Sequence, residues 1–174
     1  MNLNKIFKNC VFSLVLVSAP LYPWHVKTSQ DVGDWLKNNF TYQSEEGDYW
    51  KTPEETVRDK KADCEDFAIL SEKILRDLGY KAWFIVMTNR TRGKSSHAIT
   101  LIREKDMTYS FISNTYYYKA NAISWELMLD TYWPNYKGVY ICKSKGVCKN
   151  IYTINKQQLD KLTTNMLYLS NNRR

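Results

Sequence analysis

Two residue types in this sequence carry covalent chemistry that a fold could bring together: the cysteine at 64 and the histidine at 97. Cys64 lies at the head of a stretch in which Phe67, Leu70, Ser71, Ile74, Leu75 and Leu78 recur at the three-and-four spacing of a buried helical stripe. Unpaired N–H groups and the positive end of the macrodipole favour an anion at a helix start. A thiol placed there is therefore expected to ionise more readily than a free one. A lone cysteine can equally serve as a small core residue. His97 argues for chemistry, because it is one of only two histidines and opens a segment that reads as a strand. Taking Lys105 and Asp106 as the two turn residues of a hairpin puts His97 opposite Asn114 on one face of the sheet. A slip of one residue brings Ser113 or Thr115 there instead. An imidazole held by an amide oxygen presents its other nitrogen to a thiolate, which is the arrangement that nucleophilic acyl chemistry needs.

The acids around the cysteine pull the other way. Asp63, Glu65 and Asp66 set negative charge beside a thiol that must ionise, and a bound cation would offset it. Their other reading is structural, with Asp63 as an N-cap and first-turn acids favoured by the helix dipole. The backbone N–H of Cys64 is the natural first donor to an oxyanion, and Tyr49 and Trp50 either line a cleft or belong to the core.

The elements that must position these residues follow from local signals. Val32, Trp35, Leu36 and Phe40 predict an amphipathic helix between Thr28 and Phe40. Thr52-Pro53-Glu54-Glu55 predicts a short helix ending near Lys60, with a capping hydroxyl, proline at the first position and acids in the first turn. The long helix runs from about Asp63 to Leu78, and Gly79 stops it. Strands are expected over 81–88, 97–103 and 108–114, a helix near 124–132, a hairpin across 137–154 and a C-terminal helix over 155–169. This is a helix-first, sheet-second α+β chain. Cysteine at a helix start, followed by His and Asn on neighbouring strands, is the papain-like order of roles.

The stretch Asp48-Tyr-Trp-Lys-Thr-Pro-Glu54, followed by Ala62-Asp-Cys-Glu-Asp-Phe-Ala68 and by His97-Ala98, resembles the motifs of bacterial transglutaminase-like cysteine peptidases of the LapG type. The match extends from about Phe40 to Tyr118. The resemblance implies a papain-like α+β fold with the nucleophile at a helix N-terminus packed on an antiparallel sheet. It also implies an exported bacterial protein, Cys64 as nucleophile and His97 as base. Asn114 stands where the family usually has Asp, and Ala62 where it usually has Gly. Asn orients an imidazole without supplying a full compensating charge. LapG-type members use the two acids adjoining the cysteine for calcium, which implies Asp63 and Glu65 here; their hard oxygens suit that ion.

The chain has 174 residues, 44% apolar and 25% charged, which suits one globular domain and excludes a disordered, coiled-coil or solenoid chain. Lys5 and Lys8, the apolar run Val11 to Val17 and the small residues Ser18 and Ala19 read as a secretory leader over 1–22, too short to span a bilayer. Residues 23–174 then form the domain. Its scattered Lys and Arg form no basic stripe, so the net charge of +7 does not argue for nucleic acid. Of four cysteines, Cys10 falls in the leader, Cys142 and Cys148 flank a short turn and can be bridged, and Cys64 is left over. The combined expectation is a monomeric, periplasmic or secreted cysteine peptidase acting on a protein or peptide of the cell envelope, with calcium as its one expected cofactor. Acyl transfer by the same residues, or a non-catalytic binding module on the same fold, are the alternatives.

Overall fold

The computed structural model describes residues 20–44, 47, 49–89, 96–143 and 146–153. The leader expected over 1–22 therefore lies almost wholly outside the described residues, and the C-terminal helix expected over 155–169 lies entirely outside them. Three helices come first, as apolar spacing and capping signals predict. α1 (Ser29–Asn39) opens on a capping box between Thr28 and Asp31. α2 (Pro53–Asp59) opens on a second between Thr52 and Glu55 and stops at Lys60, whose φ of 58° is left-handed. Before and after α2, two short strands, β1 (Thr41–Tyr42) and β2 (Lys61–Ala62), pair in parallel with Tyr42 beside Ala62. α3 (Cys64–Asp77) follows at once, capped by Asp63 and Asp66.

Six strands form one antiparallel sheet: β3 (Lys81–Asn89), β4 (His97–Arg103), β5 (Tyr109–Ser113), β6 (Tyr116–Ala122), β7 (Tyr136–Lys143) and β8 (Val147–Thr153). Their spatial order is β6-β5-β4-β3-β7-β8. Helix α4 (Trp125–Tyr132) connects β6 to β7 and is capped by Ser124. The result is the α+β architecture expected, with the long helix packed on an antiparallel sheet.

Alternation along the central strands divides the core. Ala82, Phe84, Ala98 and Ile102 face α1 and α3, whereas Ile85, Met87, Ile99 and Leu101 face Met128 and Leu129 of α4. Gly33 lets α1 approach β6 closely, since a Cβ there would run into the Tyr117 side chain.

Three features depart from the sequence expectations. Neither the β1–β2 pair nor strand β6 is among the predicted strands. The β4–β5 hairpin also has a different register, with Ile99 opposite Ser113 and Arg103 opposite Tyr109. Its loop holds three residues and not two, because Met107 adopts a left-handed φ of 72° and its N–H bonds to the Glu104 carbonyl. That one added residue shifts every pair along the ladder.

Candidate active site

Cys64 is the first residue of α3, and the chain reaches it directly from β2, whose Ala62 carbonyl accepts the Gln43 N–H. The helix start is anchored by Asp66, which is fully buried; its Oδ1 accepts the Lys51 N–H at 2.7 Å. Lys51 Nζ in turn donates to the Lys61 carbonyl at 2.9 Å, so the segment before α2 is tied to both sides of the cysteine. Trp50 packs edge-on against Phe84 and belongs to the cluster that holds Cys64, which makes it core rather than open cleft wall. Tyr49 is exposed and bonds Glu55.

Cys64 packs into the cluster that holds Ala98, the residue after His97, which brings the thiol to the start of β4. Its own proton goes to Glu65 Oε2, 2.9 Å away. Burial first, and then this carboxylate contact, push the thiol up to about 12. The expected ease of ionisation is therefore corrected: lost solvation and adjacent negative charge outweigh the helix-end effect in this arrangement. Tyr42, placed beside the cysteine by the β1–β2 pairing, also has its phenol held above the usual range. Burial is the main cause, followed by the nearby Cys64, Asp63 and Glu65. Nothing in the linear sequence pointed to Tyr42, because only that two-residue parallel pairing brings it to the site.

His97 turns toward the α4 side of the sheet, where its ring lies 6.1 Å from that of Trp133. Its Nε2 pairs with Ser113 Oγ at 2.8 Å. Burial lowers its affinity for a proton, and Glu65 works in the opposite sense, placing that carboxylate within electrostatic reach of thiol and imidazole alike. Thiol and imidazole are each bonded to another side chain and not to each other. Asn114 does not take the position expected of it. It lies in the turn between β5 and β6, with a left-handed φ of 52°, and its buried Oδ1 has no hydrogen-bond partner. The three-residue hairpin loop moved Ser113 into the place instead, diagonal to His97 on the same face.

Asp63 and Glu65 supply oxygens of the class calcium takes, on either side of Cys64. Asp63 Oδ1 accepts the Asp66 N–H as the helix cap. Among the described residues no group of three or more acidic, histidine or cysteine side chains could hold a metal. Most of the roughly six to eight oxygens of a calcium ion would thus come from backbone carbonyls and water.

Cys142 and Cys148 stand opposite each other on β7 and β8 and are bridged, so Cys64 is the free cysteine among the described residues. A pocket of about 240 Å³ adjoins His97, walled by the end of α4 and by Met87 and Thr88 of β3. No helix among the described residues is long and apolar enough to cross a membrane.

No curated protein matches the chain. Among solved structures it is similar to LapG from Legionella pneumophila, at 22% identity and a TM-score of 0.51 over 79% of this chain and 76% of that one. The calcium-bound form of LapG aligns at 21% identity and a TM-score of 0.49, over 79% and 78% of the two chains. The EGTA-treated form gives 19% and 0.46 over 79% and 77%. The first of these likenesses shows a shared fold. A family model described as a transglutaminase-like domain matches residues 17–121, a span that holds Cys64, His97 and Ser113 and more than half of the sequence. With that span and this arrangement of helix and sheet, the chain belongs to the transglutaminase-like domain family.

Proposed function

We propose that the protein is an exported cysteine peptidase that hydrolyses a peptide bond with Cys64 as nucleophile and His97 as general base and acid. The observation that carries this reading is the meeting of the two elements: Cys64 at the N-terminus of α3 packs into the cluster that holds Ala98, the residue next to His97. With Nε2 held by Ser113, the nitrogen left for the thiol is Nδ1. His97 takes the thiol proton, Sγ bonds to the carbonyl carbon, and the Cys64 backbone N–H donates to the developing oxyanion. The C–N bond then breaks as the imidazolium returns its proton to the leaving amine. Water adds to the thioester carbonyl, giving a proton to His97; the C–S bond breaks and the proton returns to the sulfur.

Ser113 is neutral, so it orients the ring without compensating an imidazolium, and Glu65 is the carboxylate whose charge reaches it. Asn114 is the runner-up for the orienting role. Asp63 and Glu65 are the residues that would hold calcium, whose positive charge beside the sulfur would favour the thiolate. We place the protein in the periplasm or outside the cell, on the strength of Lys5, Lys8 and the apolar run after them, as a monomer acting on an extended segment of an envelope protein.

The test is a comparison of protein termini in envelope and extracellular fractions with and without Cys64→Ala, joined to a peptide time course with a primary amine added. New termini that depend on Cys64 are expected. Amide products in place of free acid would instead assign the acyl-transfer reaction, and identical termini in both strains would remove the peptidase reading.

A further inference from the structure

We propose, on the basis of that peptidase reading, that the pocket beside His97 selects an aromatic or large aliphatic side chain on the leaving-group side of the scissile bond. The pocket is lined by His97, by Tyr132 and Trp133 at the end of α4, by Asn135 after it, and by Met87 and Thr88 of β3. No Asp, Glu, Lys or Arg is among the described residues that line it. At about 240 Å³ it falls below the roughly 300–1,000 Å³ of sites that hold drug-sized ligands, so it suits one side chain and not a cofactor.

Its walls are rigid. Trp133 packs edge-on against Phe111, with centroids 4.8 Å apart, and Phe111 is also met by Tyr132 at 4.8 Å and by Tyr118 at 4.7 Å. Beneath it, the buried Tyr136 donates to Asp130 Oδ1 at 3.0 Å. An aromatic wall held this way loses little freedom when a ligand docks.

The side of the scissile bond follows from where the reacting groups lie. The sulfur that takes the acyl group lies on the α3 side, against Ala98, and neither Cys64, Asp63 nor Glu65 lines the pocket. His97, which must protonate the leaving nitrogen, lines it directly. A chain whose carbonyl sits on Cys64 passes its nitrogen to His97, and what continues beyond the nitrogen meets Trp133.

The leaving amine departs before water attacks, so this pocket acts on acylation alone. The experiment uses the full chain and a series of internally quenched peptides with one fixed acyl portion and Ala, Leu, Phe or Trp as the first residue after the scissile bond. A methyl ester of the same acyl portion serves as a substrate with nothing to place in the pocket. The expected result is a kcat/KM at least tenfold higher for Phe or Trp than for Ala, with one common deacylation rate throughout. In Trp133→Ala the Phe-to-Ala ratio should fall toward one. If that variant does not fold, Asn135→Phe, which fills the pocket from an exposed position, should reverse the preference toward Ala. A Cys64-dependent ester hydrolysis with flat peptide rates, or a preference confined to the acyl side, overturns the pocket assignment alone. Absence of any Cys64-dependent turnover, ester included, overturns the peptidase reading and this assignment together.

Discussion

His97 Nε2 lies 2.8 Å from Ser113 Oγ, diagonally across the β4–β5 ladder, and this bond fixes the plane of the imidazole. Asn114, one residue further on, leaves the strand with a φ of 52°, and its buried Oδ1 makes no hydrogen bond. Ser113→Ala should therefore lower kcat/KM about 3- to 10-fold, the range for loss of one neutral hydrogen bond. Asn114→Gly, which suits the left-handed backbone, should leave it within twofold. Steady-state kinetics on one peptide substrate decides the matter, and the reverse ranking would return the orienting role to Asn114.

The thiol bonded to Glu65 should behave as a protonated group at neutral pH. Iodoacetamide is expected to label Cys64 slowly at pH 7, and several times faster in Glu65→Gln, where the adjoining charge is gone. The same shift has a consequence for stability. The folded thiol, at about 12, keeps a proton that an unfolded thiol near 9.0 has shed. This contribution is complete below about pH 9 and is lost as pH rises toward 12. Urea midpoints across that window should fall more steeply in the wild type than in Cys64→Ala; equal slopes would mean a thiol of ordinary acidity.

Calcium has a readout independent of turnover. Added ion should raise the melting temperature of the wild type, and the rise should vanish in Asp63→Asn and Glu65→Gln. Asn is chosen at 63 because it preserves the helix cap that Asp63 gives the Asp66 N–H. A wild-type melting curve that ignores calcium removes the site.

Asp66 is the buried group on which the position of the helix start depends, through Lys51. Asp66→Ala leaves the Lys51 N–H without its acceptor and should destabilise the fold by about 2–3 kcal/mol. Asp66→Asn retains an acceptor oxygen and should cost distinctly less, as denaturant titration of the two variants would reveal.

The bridge between Cys142 and Cys148 closes a short loop at directly paired positions of β7 and β8. In the chain-entropy account a loop of this size contributes about 2 kcal/mol. Reduction should lower the melting temperature by about 4–8 °C, and a thiol titration of the denatured, non-reduced protein should find Cys64 as the one free thiol of residues 23–174. An unchanged melt after complete reduction would show that the bridge does not stabilise the fold.

What the sequence determined by itself was local. Thr52 with Pro53, and Asp63, each open a helix where their capping chemistry predicts, because a cap needs only residues three positions apart, and the apolar spacing from Val32 to Phe40 places the first helix. The apolar stripe from Phe67 to Leu75 likewise sets the buried face of α3 and leaves Cys64 at its mouth. The family motifs around Cys64 and His97 were legible for the same reason.

Everything that depends on how distant segments meet was decided by the tertiary structure. A left-handed Met107 added a residue to one turn and so chose Ser113 over Asn114, a choice that neither residue's chemistry reveals. Strand β6, with Tyr116 and Tyr118 half-exposed along it, showed no clean alternation to announce it, since an edge strand buries little. The thiol's acidity followed from burial and from its contact with Glu65 rather than from its place on a helix, because desolvation is a property of the packed site.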